Sequence, residues 1–261
     1  MASDLITVDD GVLTLTISTG AAGTALDHDL VIAARDALRS VVNGDLTADA
    51  VLLRGDGRNF CAGGNVAAFA AADDRSAYLR GLADDLHAMI AALYASRLPV
   101  VTAAKGWAAG AGMSLVLHSD VAVGGAATRM RPAYPGIGLS PDGGMSWMLP
   151  RVVGAARARY LVMTDQILDA QAALDAGILS QIVDDDAVDA VALDTARTLA
   201  AGPRGSHTAI RELMHRGATA DLVDQLDAEA ASIAHLGGTA EGVEGVDAFL
   251  AKRSPDFRGV R

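Results

Sequence analysis

Phe60-Cys61-Ala62-Gly63-Gly64-Asn65 and Gly106-Trp107-Ala108-Ala109-Gly110-Ala111-Gly112 are the two stretches that decide the fold. The first follows Ala50-Val51-Leu52-Leu53-Arg54-Gly55 and the second follows Pro99-Val100-Val101-Thr102-Ala103-Ala104, both runs of buried-strand character. Each stretch then leads into a helix. Loops of Gly and Ala let a ligand lie directly against the backbone. Unpaired N–H groups at the helix start face that ligand, and the helix dipole favours negative charge there. Two such loops brought together would form an oxyanion hole, a device for chemistry at a carbonyl.

Outward from these loops, the first half of the chain alternates strands with helices. The pattern predicts a strand at 12–17 and a helix at 26–42 with Leu30, Ala34, Leu38 and Val41 on its apolar face. After the first loop it predicts a helix at 73–96, striped by Tyr78, Leu82, Leu86, Met89 or Ile90, and Leu93. A helix at 110–119 and a strand at 120–124 follow the second loop. Strands spaced by helices in this way indicate an α/β architecture. Beyond Ser140 strand signals nearly vanish, and helices are expected at 142–149, 155–163, 169–176, 187–201, 205–216, 219–236 and 239–251. The division expected is an α/β core over 1–190 and a helical region over 191–261.

Composition narrows the class. The 261 residues are 51% apolar but only 4% aromatic, which suits closely packed helices better than a large aromatic pocket. A net charge of -11 argues against nucleic acid or an anionic membrane surface as partner. Of 21 basic residues, only Lys105 and Lys252 are lysines. The lone Cys61 excludes a disulfide within the chain. Met1-Ala2-Ser3-Asp4 has no basic or apolar leader character, and the longest apolar run, 107–117, is far short of the roughly 20 residues that span a bilayer. A cytoplasmic protein is expected. The six histidines show no metal-ligand spacing, so no metal is expected.

A third segment, Ile137-Gly138-Leu139-Ser140-Pro141-Asp142-Gly143-Gly144, admits two interpretations. Ser140 suits an N-cap, Pro141 the first helical position and Asp142 the first turn, which makes Asp142 a helix-start carboxylate. Alternatively Asp142 is a general base, with two glycines after it leaving room for a ligand. The choice depends on whether Asp142 faces the two small-residue loops.

Together the three segments resemble the crotonase (enoyl-CoA hydratase/isomerase) superfamily. The likeness extends through Leu149-Pro150-Arg151-Val152-Val153-Gly154, through Ala173-Leu174-Asp175-Ala176-Gly177-Ile178-Leu179, and to the closing run Glu244-Gly245-Val246-Asp247-Ala248-Phe249-Leu250-Ala251-Lys252-Arg253. It implies a crotonase-like (ClpP/crotonase) spiral of β-β-α turns, with C-terminal helices that form a homotrimer or a hexamer built as a dimer of trimers. It implies an acyl-CoA thioester as substrate, with coenzyme A part of that substrate and no separate cofactor. Two backbone N–H groups would polarise the thioester oxygen, falling by position on Ala62 and Ala111. Phe60, Cys61, Gly63, Gly64, Asn65 and Gly110 would surround the substrate, with Phe249 and Lys252 added from the closing helix. Cys61 reads as a small lining residue rather than a nucleophile, and Asn65 as a helix cap.

Departures from the family pattern select the reaction. Family hydratases carry two glutamates at the places held here by Ser114 and Tyr134. Hydration needs one group to activate water and another to deliver a proton to carbon. Neither a serine nor a tyrosine, whose ordinary pKa is about 10, does that work near neutral pH. Asp142 remains, where family isomerases carry an acid followed by Gly-Gly. One carboxylate suffices to move a 3,4 double bond to the 2,3 position, and Tyr134 would line the acyl pocket and hydrogen-bond to it. Family dehalogenases use an Asp here as nucleophile, with Trp and His where this chain has Tyr134 and His87. Family hydrolases pair the segment with a carboxylate where Tyr134 stands. A silent acyl-CoA-binding oligomer is the alternative from another class. For the coenzyme phosphates, Arg54, Arg58, Lys252 and Arg253 are candidates, and Phe69, Met130, Met145, Trp147 and Met148 are candidates for the pocket wall.

Overall fold

The computed structural model describes residues 5–21 and 23–261. The opening tetrapeptide read above lies outside the described residues, as does Ala22. The chain begins with a hairpin of β1 (Ile6–Asp9) and β2 (Val12–Thr19), then α1 (His28–Asn43), β3 (Ala50–Asp56), α2 (Val66–Ala71) and α3 (Arg75–Ala95). Next come β4 (Val100–Ala104), β5 (Trp107–Ala109), α4 (Ala111–Val116), β6 (Val121–Gly125) and β7 (Arg129–Arg131). After them run α5 (Met145–Val153), α6 (Ala155–Met163), β8 (Leu168–Asp169), α7 (Ala170–Asp175) and β9 (Gln181–Val183). Four helices close the chain: α8 (Val188–Ala201), α9 (Arg204–Gly217), α10 (Leu222–Gly237) and α11 (Ala240–Ala251).

The main sheet has the order β1-β2-β3-β4-β6-β9. Only β1 runs antiparallel to its neighbour, and the other pairs are parallel. Parallel strands are covered on both faces, and the period-two alternation shows where each face goes. Leu13, Leu15, Ile17, Val51 and Leu53 pack with α1 and α3 on one side. Val12, Ala50, Leu52, Val101 and Ala103 point the other way, onto α8. That helix presents Val188, Ala192, Ala196 and Ala200 at one-turn spacing, so alanine lets it lie close to the sheet. A small second sheet, β5-β7-β8, stands beside the carboxyl end of the main one. Among the described residues no helix is long and apolar enough to cross a membrane.

The long helices and central strands fall where the periodicity predicts. Helix α1 starts at His28 rather than 26 because Asp27 is its N-cap, its side chain accepting from Leu30 N–H at 3.2 Å. One correction bears on chemistry. The helix expected from 142 begins only at Met145, because Gly143 (φ +57°) and Gly144 (φ +75°) adopt left-handed conformations that a right-handed helix cannot contain. Asp142 therefore sits in the irregular segment before α5 and is not a first-turn helix carboxylate.

Candidate active site

The two small-residue loops leave the carboxyl ends of β3 and β4, adjacent strands with Val51 opposite Val100 and Leu52 opposite Val101. A short parallel bridge, Cys61 to Ala108, clamps them together. Cys61 N–H donates to Trp107 O at 3.0 Å, and Ala109 N–H donates to Cys61 O at 2.9 Å. Gly112 makes the approach possible, since a Cβ there would collide with the Cys61 carbonyl.

This clamp decides which N–H groups are free. Ala62 N–H donates to the Thr24 carbonyl at 2.8 Å, so it is spent within the protein. The expectation that Ala62 supplies one donor of the oxyanion hole is thereby corrected. Gly110 N–H is likewise taken, by Arg131 O at 3.0 Å. Among the described residues no protein acceptor meets Gly64 N–H, and a Cβ at Gly64 would touch nothing within 4 Å. Ala111 opens α4, where N–H groups lack partners within the helix. Gly64 and Ala111 both line one cavity of about 670 Å³.

Asp142 lines the same cavity. The Tyr134 hydroxyl donates to Asp142 Oδ1 at 2.7 Å and lies 3.1 Å from Ser114 Oγ. Ser114 Oγ also reaches the Asp142 carbonyl at 3.0 Å. The two positions where family hydratases have glutamates thus carry hydroxyls within hydrogen-bond distance of each other and of Asp142. Burial, then the negative charge of Asp142, push the Tyr134 phenol well above its ordinary pKa, so it remains a donor. The backbone of Gly143 is also held: its N–H donates to His87 Nε2 at 3.1 Å, and its O lies 2.9 Å from His118 Nε2.

The remaining sequence candidates divide sharply. Gly63, Asn65 and Gly110 line the cavity. Asn65 also caps α2, its Oδ1 accepting from Ala68 N–H at 3.1 Å. Phe60 and Cys61 are fully buried behind the loop and do not face the cavity. Burial pushes the Cys61 thiol up to about 12, which leaves it inert as a nucleophile near neutral pH. Phe249 is 82% exposed on α11, and Lys252 is exposed just beyond it, so the chain does not bring either to its own cavity. Arg253 is tied to Glu244 by two bonds of 2.6 and 2.8 Å, and Arg54 faces Asp56 at 3.6 Å. Arg58 is exposed.

The cavity wall is formed by Val66, Phe69, Tyr78, Leu79, Leu82 and Leu86 on one side and by Ile137 and Leu139 on the other. Of the expected wall residues only Phe69 belongs to it. Met130 and Met145 are fully buried in the core, Met148 meets the Tyr94 hydroxyl at 3.7 Å, and the Arg151 guanidinium stacks on Trp147 at 3.9 Å. The sequence signal for the wall is the Tyr78, Leu82, Leu86 stripe of α3, part of which lines the cavity. His118 gives no such signal.

Comparison with known proteins follows the same lines. Residues 7–260 match the family model described as Enoyl-CoA hydratase/isomerase. The 1,2-epoxyphenylacetyl-CoA isomerase of Escherichia coli K12 is 35% identical over 260 residues, 97% of each chain. The 2,3-dehydroadipyl-CoA hydratase of the same organism is 29% identical over 259 residues, 99% of this chain and 100% of that one. The crystal structure of an enoyl-CoA hydratase from Polaromonas sp. JS666 superposes with a TM-score of 0.88 at 31% identity, covering 96% of this chain and 97% of that one.

Proposed function

The chain belongs to the enoyl-CoA hydratase/isomerase family and has its crotonase-like fold, and from that premise we propose that it converts a 3-enoyl-CoA into the conjugated 2-enoyl-CoA. The observation that carries this reading is the Tyr134–Asp142 hydrogen bond of 2.7 Å. It leaves Asp142 as the carboxylate beside the two loops, with neutral hydroxyls where a water-activating pair would stand.

Each step balances on that one group. Asp142, through the oxygen not engaged by Tyr134, takes a proton from the α-carbon. The electron pair released moves into the thioester as an enolate, whose oxygen accepts from the N–H groups of Gly64 and Ala111. A donor of this kind stabilises the transition state by roughly 3–4 kcal/mol in favourable sites. The protonated Asp142 then returns the proton to the γ-carbon, and the double bond comes to rest between the α- and β-carbons. No water is consumed, so substrate and product have equal mass. A dehalogenase role for His87 is disfavoured because its Nε2 is occupied by Gly143 N–H. The relative named as an isomerase supports the class of chemistry, while its printed substrate remains that protein's own.

Assembly as a homotrimer, or as a dimer of trimers, belongs to the same proposal. It is supported by the apolar surface that α9, α10 and α11 leave open, including Met214 (76% exposed), Ile233 (74%) and Phe249 (82%). Lys252 would then act from a neighbouring copy. The test of the activity is incubation of purified protein with a 3-enoyl-CoA, following conjugated-thioester absorbance together with product mass. Rising absorbance at constant mass is expected, and a product heavier by one water would overturn the isomerase reading.

A further inference from the structure

Two segments that are separate in sequence, α3 and α4 with the turn that follows it, converge on two successive peptides beside Asp142. From α4, Ser114 Oγ reaches the Asp142 carbonyl at 3.0 Å. From α3, His87 Nε2 receives the Gly143 N–H at 3.1 Å. From the turn after α4, His118 Nε2 meets the Gly143 carbonyl at 2.9 Å. A carbonyl accepts only, so His118 Nε2 carries the proton and its Nδ1 accepts from the Tyr94 hydroxyl, 3.0 Å away. The direction of each bond is thus fixed: Tyr94 to His118 to Gly143 O, and Gly143 N–H to His87.

The backbone so held is one that glycine alone adopts readily. Gly143 and Gly144 both have positive φ, and a Cβ on either would press on a neighbour, Ser114 Cβ at 2.9 Å for the first and His118 Nε2 at 2.9 Å for the second. Two consecutive flexible residues next to a reacting carboxylate would allow it to swing unless something external fixed them. We propose that His87 and His118 are positioning residues, which hold the Gly143 backbone by its N–H and by its C=O and thereby set the direction of the Asp142 carboxylate. This rests on Asp142 being the proton-transfer group. Burial lowers the His118 pKa, which keeps that ring neutral and its Nδ1 an acceptor near neutral pH. His87 is exposed, so it contributes its hydrogen bond more than packing.

Substitutions that separate hydrogen bonding from bulk provide the test. His87→Leu removes the acceptor, whereas His87→Gln offers Oε1 at the reach of Nε2. His118→Phe removes the donor, whereas His118→Gln retains one. Expected is a fall in kcat on the order of 100-fold for His87→Leu and His118→Phe with KM nearly unchanged, the size of loss that follows a misplacement of about 1 Å. The glutamine variants are expected to recover to within about tenfold of wild type. Crystal structures of His87→Leu and His87→Gln supply a readout without turnover, with Asp142 displaced from Tyr134 in the first and in place in the second. Because His87 is exposed, its variants keep the test open if His118→Phe fails to fold. Wild-type kcat in His87→Leu, or equal loss in His87→Leu and His87→Gln, would overturn the proposal. Lack of turnover by the unaltered protein would count against the isomerase reading alone, and the two crystal structures would then decide the positioning role.

Discussion

The Tyr134 hydroxyl donates to Asp142 Oδ1 at 2.7 Å while lying 3.1 Å from Ser114 Oγ. A carboxylate with one oxygen occupied has one oxygen left for a substrate proton, and the phenol fixes which. Tyr134→Phe keeps the ring and deletes the bond. Hydrogen bonds to charged groups are worth about 1.5–3 kcal/mol, so kcat on a 3-enoyl-CoA is expected to fall between about 10- and 150-fold with little change in KM. A variant with wild-type kcat would show that the bond does not serve the reaction.

Gly64, unlike Ala62, has an N–H that no protein acceptor takes among the described residues, and its part in the oxyanion hole can be tested. Gly64→Ala leaves the N–H in place and puts a methyl group into open space, so it is expected to fold and turn over nearly as the parent does. Gly64→Pro deletes the donor, and a loss of about 100- to 1,000-fold in kcat is expected. Steady-state rates of the pair check this, with circular dichroism as a control for folding. Equal rates in the two variants would exclude Gly64 from the oxyanion hole.

Stability offers a separate check on the clamp between the loops. Gly112→Ala forces a methyl group against the Cys61 carbonyl, inside the bridge that joins Cys61 to Ala108. Overpacking of this kind costs about 1–3 kcal/mol. A lower urea midpoint, together with weakened turnover, is the expected result.

Much of this was legible in the sequence, and the exceptions have physical causes. The central strands and the long helices carry apolar patterns of period two or 3.6, and those patterns survive folding because they are what the core selects. Short strands such as β5, β7 and β8 are too brief to show a period and exist only because partners lie across from them. The family resemblance implies an oxyanion donor at Ala62; what disqualifies it is the Thr24 carbonyl, contributed by another loop. The Ser140-Pro141-Asp142 run reads as a helix start, yet Gly143 and Gly144 defer the helix and release Asp142 into the cavity wall. Met130 and Met145 read equally well as pocket or core, and packing put them in the core.

Cys61 is fully buried, with its thiol pushed up to about 12 by burial. The thiolate is the reactive form, so at pH 8 the native protein is expected to resist a disulfide reagent such as Ellman's, and to react fully once unfolded in guanidinium. Rapid labelling of the folded protein would mean that the first loop opens.

The central claim is that one carboxylate carries the proton. Its most direct test is the turnover of a 3-enoyl-CoA by Asp142→Asn beside the parent protein, with thioester affinity measured on both by calorimetry. Asparagine preserves shape and removes the base, so a loss of about 100- to 10,000-fold in kcat at unchanged affinity is expected. Undiminished conversion by Asp142→Asn would contradict the account.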